Sequence, residues 1–198
     1  MVVIVSNKNL CKDDFLKRVE ELSASKPDIF ILREKDLSDD DFYVLAKNIK
    51  DICTKFETKL YINSKINIAR KLNIKNIQIS FNDFFKYKED EKEDLGWFEN
   101  IVVSIHSLDE AKILEKENLE FLIFGHIFET SCKAGLKPRG LDSLKEICEN
   151  SSKKILAIGG INQNNYKDVL KSGAFGFCIM SETMLCKNPK NLIENYKK

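Results

Sequence analysis

The chain has 198 residues, of which 32% are charged and 43% hydrophobic, a balance that excludes a disordered or fibrous chain and leaves enough length to bury a full core. Lys plus Arg at 32 against Asp plus Glu at 31 give a formal net charge of +1, so no global field is available to hold nucleic acid, and any bound anion must be held locally. Apolar runs such as Ile101 to Val103 and Ile155 to Ile158 are far shorter than the roughly 20 residues of a membrane helix, so no membrane partner is expected.

Val2 to Val5 is a short β-branched run that stops at Ser6-Asn7, and DDFLKRVEELSAS after it carries apolar residues at helical spacing, which predicts strand then helix. The unit returns with Ile29 to Leu32 and a helix from about Ser38, whose side chain is suited to cap DDDFYVLAKNIKDICTKF. Leu60 to Ile62 leads into the short helix INIARKL. Ile77 to Ile79 starts a fourth unit, and the charged stretch KYKEDEKEDLG between Phe85 and Trp97 reads as a solvated loop or a short exposed helix. Ile101 to Ile105 precedes SLDEAKILEKEN, Phe121 to Phe124 precedes LDSLKEICENS, and Ile155 to Ile158 precedes NNYKDVLKSG. Phe175 to Ile179 closes the series before a helical segment from about Ser181 to Tyr196.

Such alternation requires right-handed crossovers and a mainly parallel sheet. The predicted fold class is therefore α/β, a single (β/α)8 TIM barrel over residues 1–198, with a doubly wound open sheet as the alternative. The opening MVVIVSNKNLCKDDF has neither a basic n-region nor a small-residue cleavage site, which predicts a cytoplasmic protein. The cysteines form no C-x-x-C pair, so free thiols are expected, with neither a zinc site nor a redox motif. The oligomeric state, monomer or homo-oligomer, is left open.

In such a barrel the chemistry sits just after each strand, at its C-terminal end. Arg33, Glu34 and Lys35 follow the second strand, Asn63 and Ser64 the third, and Ser80 and Asp83 the fourth; Ser104 and His106 lie near the fifth. Gly125 to Lys133 follow the sixth, Gly159-Gly160 the seventh, and Ser181 the eighth. Two glycines leave backbone N–H groups open to a phosphate, and with Ser181 they suit the phosphate pocket that barrels build after strands seven and eight. The same pair also suits a plain tight turn. Arg33, Lys35 and Lys133 are cations suited to a phosphate and a carboxylate. His126 is one of 2 histidines and a candidate for proton transfer. Cys132 beside Lys133 is a weaker candidate nucleophile. The roles of Asp83, His106 and Cys132 stay open.

The segments ILREK (31–35), YINSKINIA (61–69), SIHSLDEA (104–111), GHIFETSCKAG (125–135) with RGL (139–141), and AIGGI (157–161) with IMS (179–181) together resemble the thiamin phosphate synthase superfamily. Within it the chain is most similar to the TenI-type thiazole tautomerases. The resemblance implies the same barrel and, as ligands, thiazole and pyrimidine phosphates. The synthase branch joins a hydroxymethylpyrimidine pyrophosphate to a thiazole phosphate with Mg²⁺. Its pattern places a Gln two residues before the strand-two Arg, an Asn-Asp pair after strand three, and Gly-Pro with Pro-Thr-x-Thr-Lys after strand six. This chain has Ile31, Ser64, His126 and Cys132 at the departing positions, while Asp83 matches an acidic one.

The tautomerase branch has Gly-His-x-Phe with a downstream Cys-Lys pair, here Gly125 to Phe128 and Cys132-Lys133. The resemblance implies that His126 is the acid/base residue converting a non-aromatic carboxythiazole phosphate to its aromatic tautomer. Expected substrate contacts are Arg33, Lys35, Asn63, Ser104, Thr130 and Lys133, with Gly159, Gly160 and Ser181 on the phosphate. No metal or organic cofactor is expected, Mg²⁺ entering only under the synthase reading; the partner is a small phosphorylated thiazole. A non-catalytic TenI-like regulator or ligand-binding protein is the third reading, and with no helix-turn-helix pattern or basic face it is not expected to bind DNA.

Overall fold

The computed structural model describes residues 1–89 and 95–197. Its strands are β1 (Val2–Val5), β2 (Ile29–Leu32), β3 (Lys59–Asn63), β4 (Asn76–Ser80), β5 (Asn100–Ile105), β6 (Phe121–Gly125), β7 (Ile155–Ile158) and β8 (Gly176–Ile179). They close in the order β1 to β8 into a barrel, which is the predicted (β/α)8 architecture and excludes the open sheet. The helices are α1 (Phe15–Ala24), α2 (Asp39–Lys55), α3 (Ile66–Lys71), α4 (Phe81–Glu89), α5 (Leu108–Ile113), α6 (Gly140–Asn150), α7 (Tyr166–Lys171), α8 (Ser181–Leu185) and α9 (Pro189–Tyr196).

The helix starts follow from capping chemistry. Ser38 Oγ accepts from Asp41 N–H at 3.1 Å and donates to Asp41 Oδ2 at 2.7 Å, and Asp39, Asp40 and Asp41 place negative charge on the positive end of α2. Ser80 and Asp83 make the same pair at α4, at 3.1 and 2.7 Å. That cap starts α4 at Phe81 and buries Phe84, so the helix begins before the charged stretch assigned to loop or short helix. Residues 90–94 of that stretch lie outside the described residues. The predicted run from Ser181 to Tyr196 is two helices, because Pro189 lacks an N–H and takes the first position of α9 while Asn188 accepts from Asn191 N–H at 3.0 Å.

The chain groups into two compact units, Met1–Ile74 with Ile179–Lys198, and Lys75–Cys178. In the first, β1, β2 and β3 pair in parallel, with Val3 opposite Ile29 and Ile31 opposite Tyr61. Both β1 and β2 are buried at every position, the signature of a parallel sheet covered on both faces, and α1 packs against α2 and α9. In the second, β4 to β8 pair in parallel, with Ser80 opposite Ser104, Gly125 opposite Ile158 and Ile158 opposite Cys178. Among the described residues no helix is long and apolar enough to cross a membrane.

Candidate active site

In the second unit the loop leaving β6 carries the candidate acid/base residue. A Cβ on Gly125 would lie 2.2 Å from Ile158 O, so only glycine lets β6 end this close to β7. The Gly125–His126 peptide is cis. Beyond it the loop stays on β7: Ile127 N–H donates to Ile158 O at 2.9 Å and Phe128 N–H to Gly159 O at 3.0 Å. The returning chain closes the other side, with Arg139 N–H on His126 O at 2.8 Å and Gly140 N–H on Ile127 O at 3.1 Å.

Gly159 and Gly160 have φ of 104° and 67°, in the region open chiefly to glycine. A Cβ on Gly159 would stand 2.3 Å from His126 Cβ, and one on Gly160 would stand 2.6 Å from Glu129 O. The missing side chains therefore make room for the His126 loop. Among the described residues, neither the Gly159 N–H nor the Gly160 N–H donates to a protein acceptor.

His126 is half-buried, and its Nε2 lies 3.2 Å from Leu136 O. Thr130 caps the 3-10 turn Ser131–Lys133, its Oγ1 accepting from Cys132 N–H at 3.4 Å. Thr130 and Lys133 line one cavity of about 670 Å³ together with Glu129 and Lys137. Lys137 is a second cation there that the sequence reasoning missed; its only signal is its place four residues after Lys133 in a loop. Cys132 is exposed.

Ser104 Oγ accepts from the buried Gln78 Nε2 at 2.8 Å, which leaves the hydroxyl proton of Ser104 to donate elsewhere. His106, exposed at the end of β5, places Nδ1 2.9 Å from Gly125 O, and its backbone N–H donates to Glu110 Oε2 at 2.6 Å. Asp83 spends one carboxylate oxygen on the α4 cap.

In the first unit, Arg33 is half-buried, Lys35 exposed and Asn63 buried at the end of β3, while Ser64 has a φ of 62°. Between the two cations, Glu34 is buried, receiving Ser6 Oγ at 2.5 Å and Lys8 N–H at 2.9 and 3.0 Å. Burial pushes its carboxyl above the usual glutamate range, although the bonds from Ser6 and Lys8 and the charge of Arg33 pull the other way. Ser6 Oγ in turn accepts from Arg33 N–H at 2.9 Å, so Glu34 fixes the backbone from which Arg33 leaves. Ser181 is the first residue of α8 and half-buried.

The chain is a closed parallel barrel with glycines, cations and a histidine after its strands, the ends at which barrel enzymes carry their active sites. In fold the chain is similar to thiamine phosphate pyrophosphorylase from Pyrococcus furiosus, with TM-score 0.82 and 23% identity over 99% of this chain and 93% of that one. It is also similar in fold to a 3-hexulose-6-phosphate synthase, with TM-score 0.71 and 15% identity over 100% and 98%. In sequence it is 31% identical to the thiamine-phosphate synthase of Clostridium acetobutylicum over 191 residues, 96% of this chain and 90% of that protein. It is 29% identical to that of Alkaliphilus oremlandii over 195 residues, 98% and 92%. The family profile described as thiamine monophosphate synthase matches residues 2–183, and the chain belongs to this family, whose members are enzymes of thiamin biosynthesis.

Proposed function

We propose that the chain is a thiazole tautomerase that aromatises a carboxythiazole phosphate through proton transfer by His126. The observation that carries this reading is the half-buried imidazole after β6, with one nitrogen on Leu136 O and the other, among the described residues, bonded to nothing. The reaction moves one proton between two atoms of the substrate and consumes nothing else, so one imidazole acting first as base and then as acid suffices. Thr130 and Lys133 share a cavity wide enough for a small heterocycle, and Ser104 keeps a hydroxyl proton to donate. The N–H groups of Gly159 and Gly160, which donate to no protein acceptor among the described residues, support a phosphate contact. Arg33, Lys35, Asn63 and Ser181 keep within this proposal the ligand roles that the resemblance implies.

The second reading is thiamin phosphate synthase, and the names of the relatives favour it: proteins 31% and 29% identical over nearly the whole chain are thiamine-phosphate synthases. That reaction needs Mg²⁺ to help pyrophosphate leave. The donor set here fits the ion poorly. Ser64 offers a neutral hydroxyl where the synthase pattern has a carboxylate, which leaves Asp83 as a single acidic donor with one of its two oxygens already on the α4 cap.

The two reactions separate in one experiment. Purified protein in EDTA receives the freshly made thiazole tautomer phosphate, and the rise of aromatic ultraviolet absorbance is followed for the wild type and His126→Ala. Acceleration that survives EDTA and is lost in the variant supports the tautomerase. No acceleration over buffer, with Mg²⁺-dependent coupling of the two precursors, replaces it with the synthase. Neither activity leaves a ligand-binding protein.

A further inference from the structure

We infer that the strand-six loop holds the chain's two histidines in opposite neutral tautomers, so that His126 presents its basic lone pair on Nδ1 while His106 acts as a positioning residue through Nδ1–H. The consequence for turnover rests on the tautomerase reading; the tautomers themselves do not.

A carbonyl oxygen only accepts, so a ring nitrogen bonded to one must carry the proton. The Nε2 of His126 lies 3.2 Å from Leu136 O, which places its proton on Nε2 and, in the neutral ring, its lone pair on Nδ1. The Nδ1 of His106 lies 2.9 Å from Gly125 O, which fixes the reverse tautomer there. Among the described residues, the remaining nitrogen of each ring makes no hydrogen bond.

His106 bears on His126 because the carbonyl it holds belongs to the peptide group that joins His126 to β6. His106 is itself tied down: its N–H donates to Glu110, whose own N–H donates to Ser107 Oγ at 3.2 Å to start α5. The backbone of His126 is thus held by His106 on the preceding carbonyl and by Arg139 N–H on its own carbonyl. Its ring is then oriented by Leu136 O, ten residues on. When Nδ1 takes a proton from a substrate carbon, the imidazolium keeps its Nε2–H on that carbonyl, which stabilises the cation, and Nδ1 returns the same proton to the second position. No other reactant enters.

The test is long-range ¹H–¹⁵N correlation of the histidine rings in the ¹⁵N-labelled wild type at about pH 8.5, where unperturbed rings are neutral. His106→Asn, which deletes one ring, assigns the signals. One Nε2–H ring for His126 and one Nδ1–H ring for His106 are expected; the same tautomer in both rings, or the reverse assignment, overturns the inference. The positioning role is read from kinetics. His106→Ala should lower kcat about five- to tenfold, the scale of one hydrogen bond, with KM within about twofold, and His106→Asn, which can donate to the same carbonyl, should recover most of the loss. A His106→Asn as impaired as His106→Ala, or both equal to wild type, removes that role. A wild type without tautomerase activity sinks the proposed function and leaves the ring spectra to decide the tautomers.

Discussion

Gly159→Ala is the sharpest perturbation of the site because the same methyl group strains the backbone and strikes the histidine. At a φ of 104° a side chain costs about 1–3 kcal/mol. The added Cβ would also lie 2.3 Å from His126 Cβ and 2.7 Å from its Cα, against an ordinary carbon contact of roughly 3.5 Å, so one backbone segment has to yield by about 1 Å. Overpacking of that kind costs about 1–3 kcal/mol more. A total of about 4 kcal/mol lowers the melting temperature by roughly 8–16 °C in a chain of this size. A displacement of about 1 Å in the acid/base residue is expected to lower kcat/KM in the aromatisation assay about 100-fold. Gly135→Ala is the control, since its φ is 80° but nothing lies within 4 Å of the added Cβ, so it carries the strain without the collision. Thermal melts of the three proteins decide the matter. A Gly159→Ala that melts no lower than Gly135→Ala refutes the claim that Gly159 sets the place of His126.

Ser38→Ala removes the α2 cap and should cost about 1 kcal/mol, read as a melting point lower by roughly 2–4 °C; an unchanged melt removes the cap from the account. Because burial raises the carboxyl of Glu34 in the fold, the folded chain holds that proton more tightly than the unfolded one, and stability falls as pH climbs from the ordinary glutamate value through the raised one. The melting temperature of wild type relative to Glu34→Gln should therefore decline as pH rises above the ordinary glutamate value of about 4, and a rise there contradicts the sign. Burial pushes the Cys53 thiol up to about 12, against a weaker pull from Ser23, and raises that of Cys178 further. A thiol titration near pH 8 should label Cys132 at once and those two only after denaturant, and early labelling of either shows that its wall opens.

The barrel was legible because a parallel strand covered on both faces must be apolar at every position, and such runs stand out between charged helices. Val2–Val5, Ile29–Leu32 and Ile155–Ile158 coincide with the sequence reading. Ser38 was legible for a local reason, a hydroxyl three residues before an acid at the start of an apolar period. The start of α4 was not, because the charged stretch after Phe85 drew the reading away from Phe81, Phe84 and Phe85, which lie at helical spacing. The break before α9 has a local sign in Pro189, which opens a helix more readily than it continues one.

The site divides along the same line. Strand ends point to His126, Lys133 and the glycine pair along with Arg33, Lys35, Asn63, Ser104 and Ser181, and it is the family resemblance that implies the acid/base role of His126. What holds His126 depends on contacts between residues far apart in the chain: His106 on Gly125, Leu136 on the imidazole, and Gly159 against the histidine Cβ. In the sequence Glu34 is one of three charged residues in a row, and only its burial against Ser6 separates it from them.

The first compact unit is discontinuous, residues 1–74 with 179–198, and the second, 75–178, is continuous. A ribosome adding roughly 5–20 residues per second therefore emits the second unit whole before it delivers the last piece of the first. During that interval α1 stands without α9, the helix that packs on it. The order of synthesis thus completes the half that carries His126 before the half that carries Arg33.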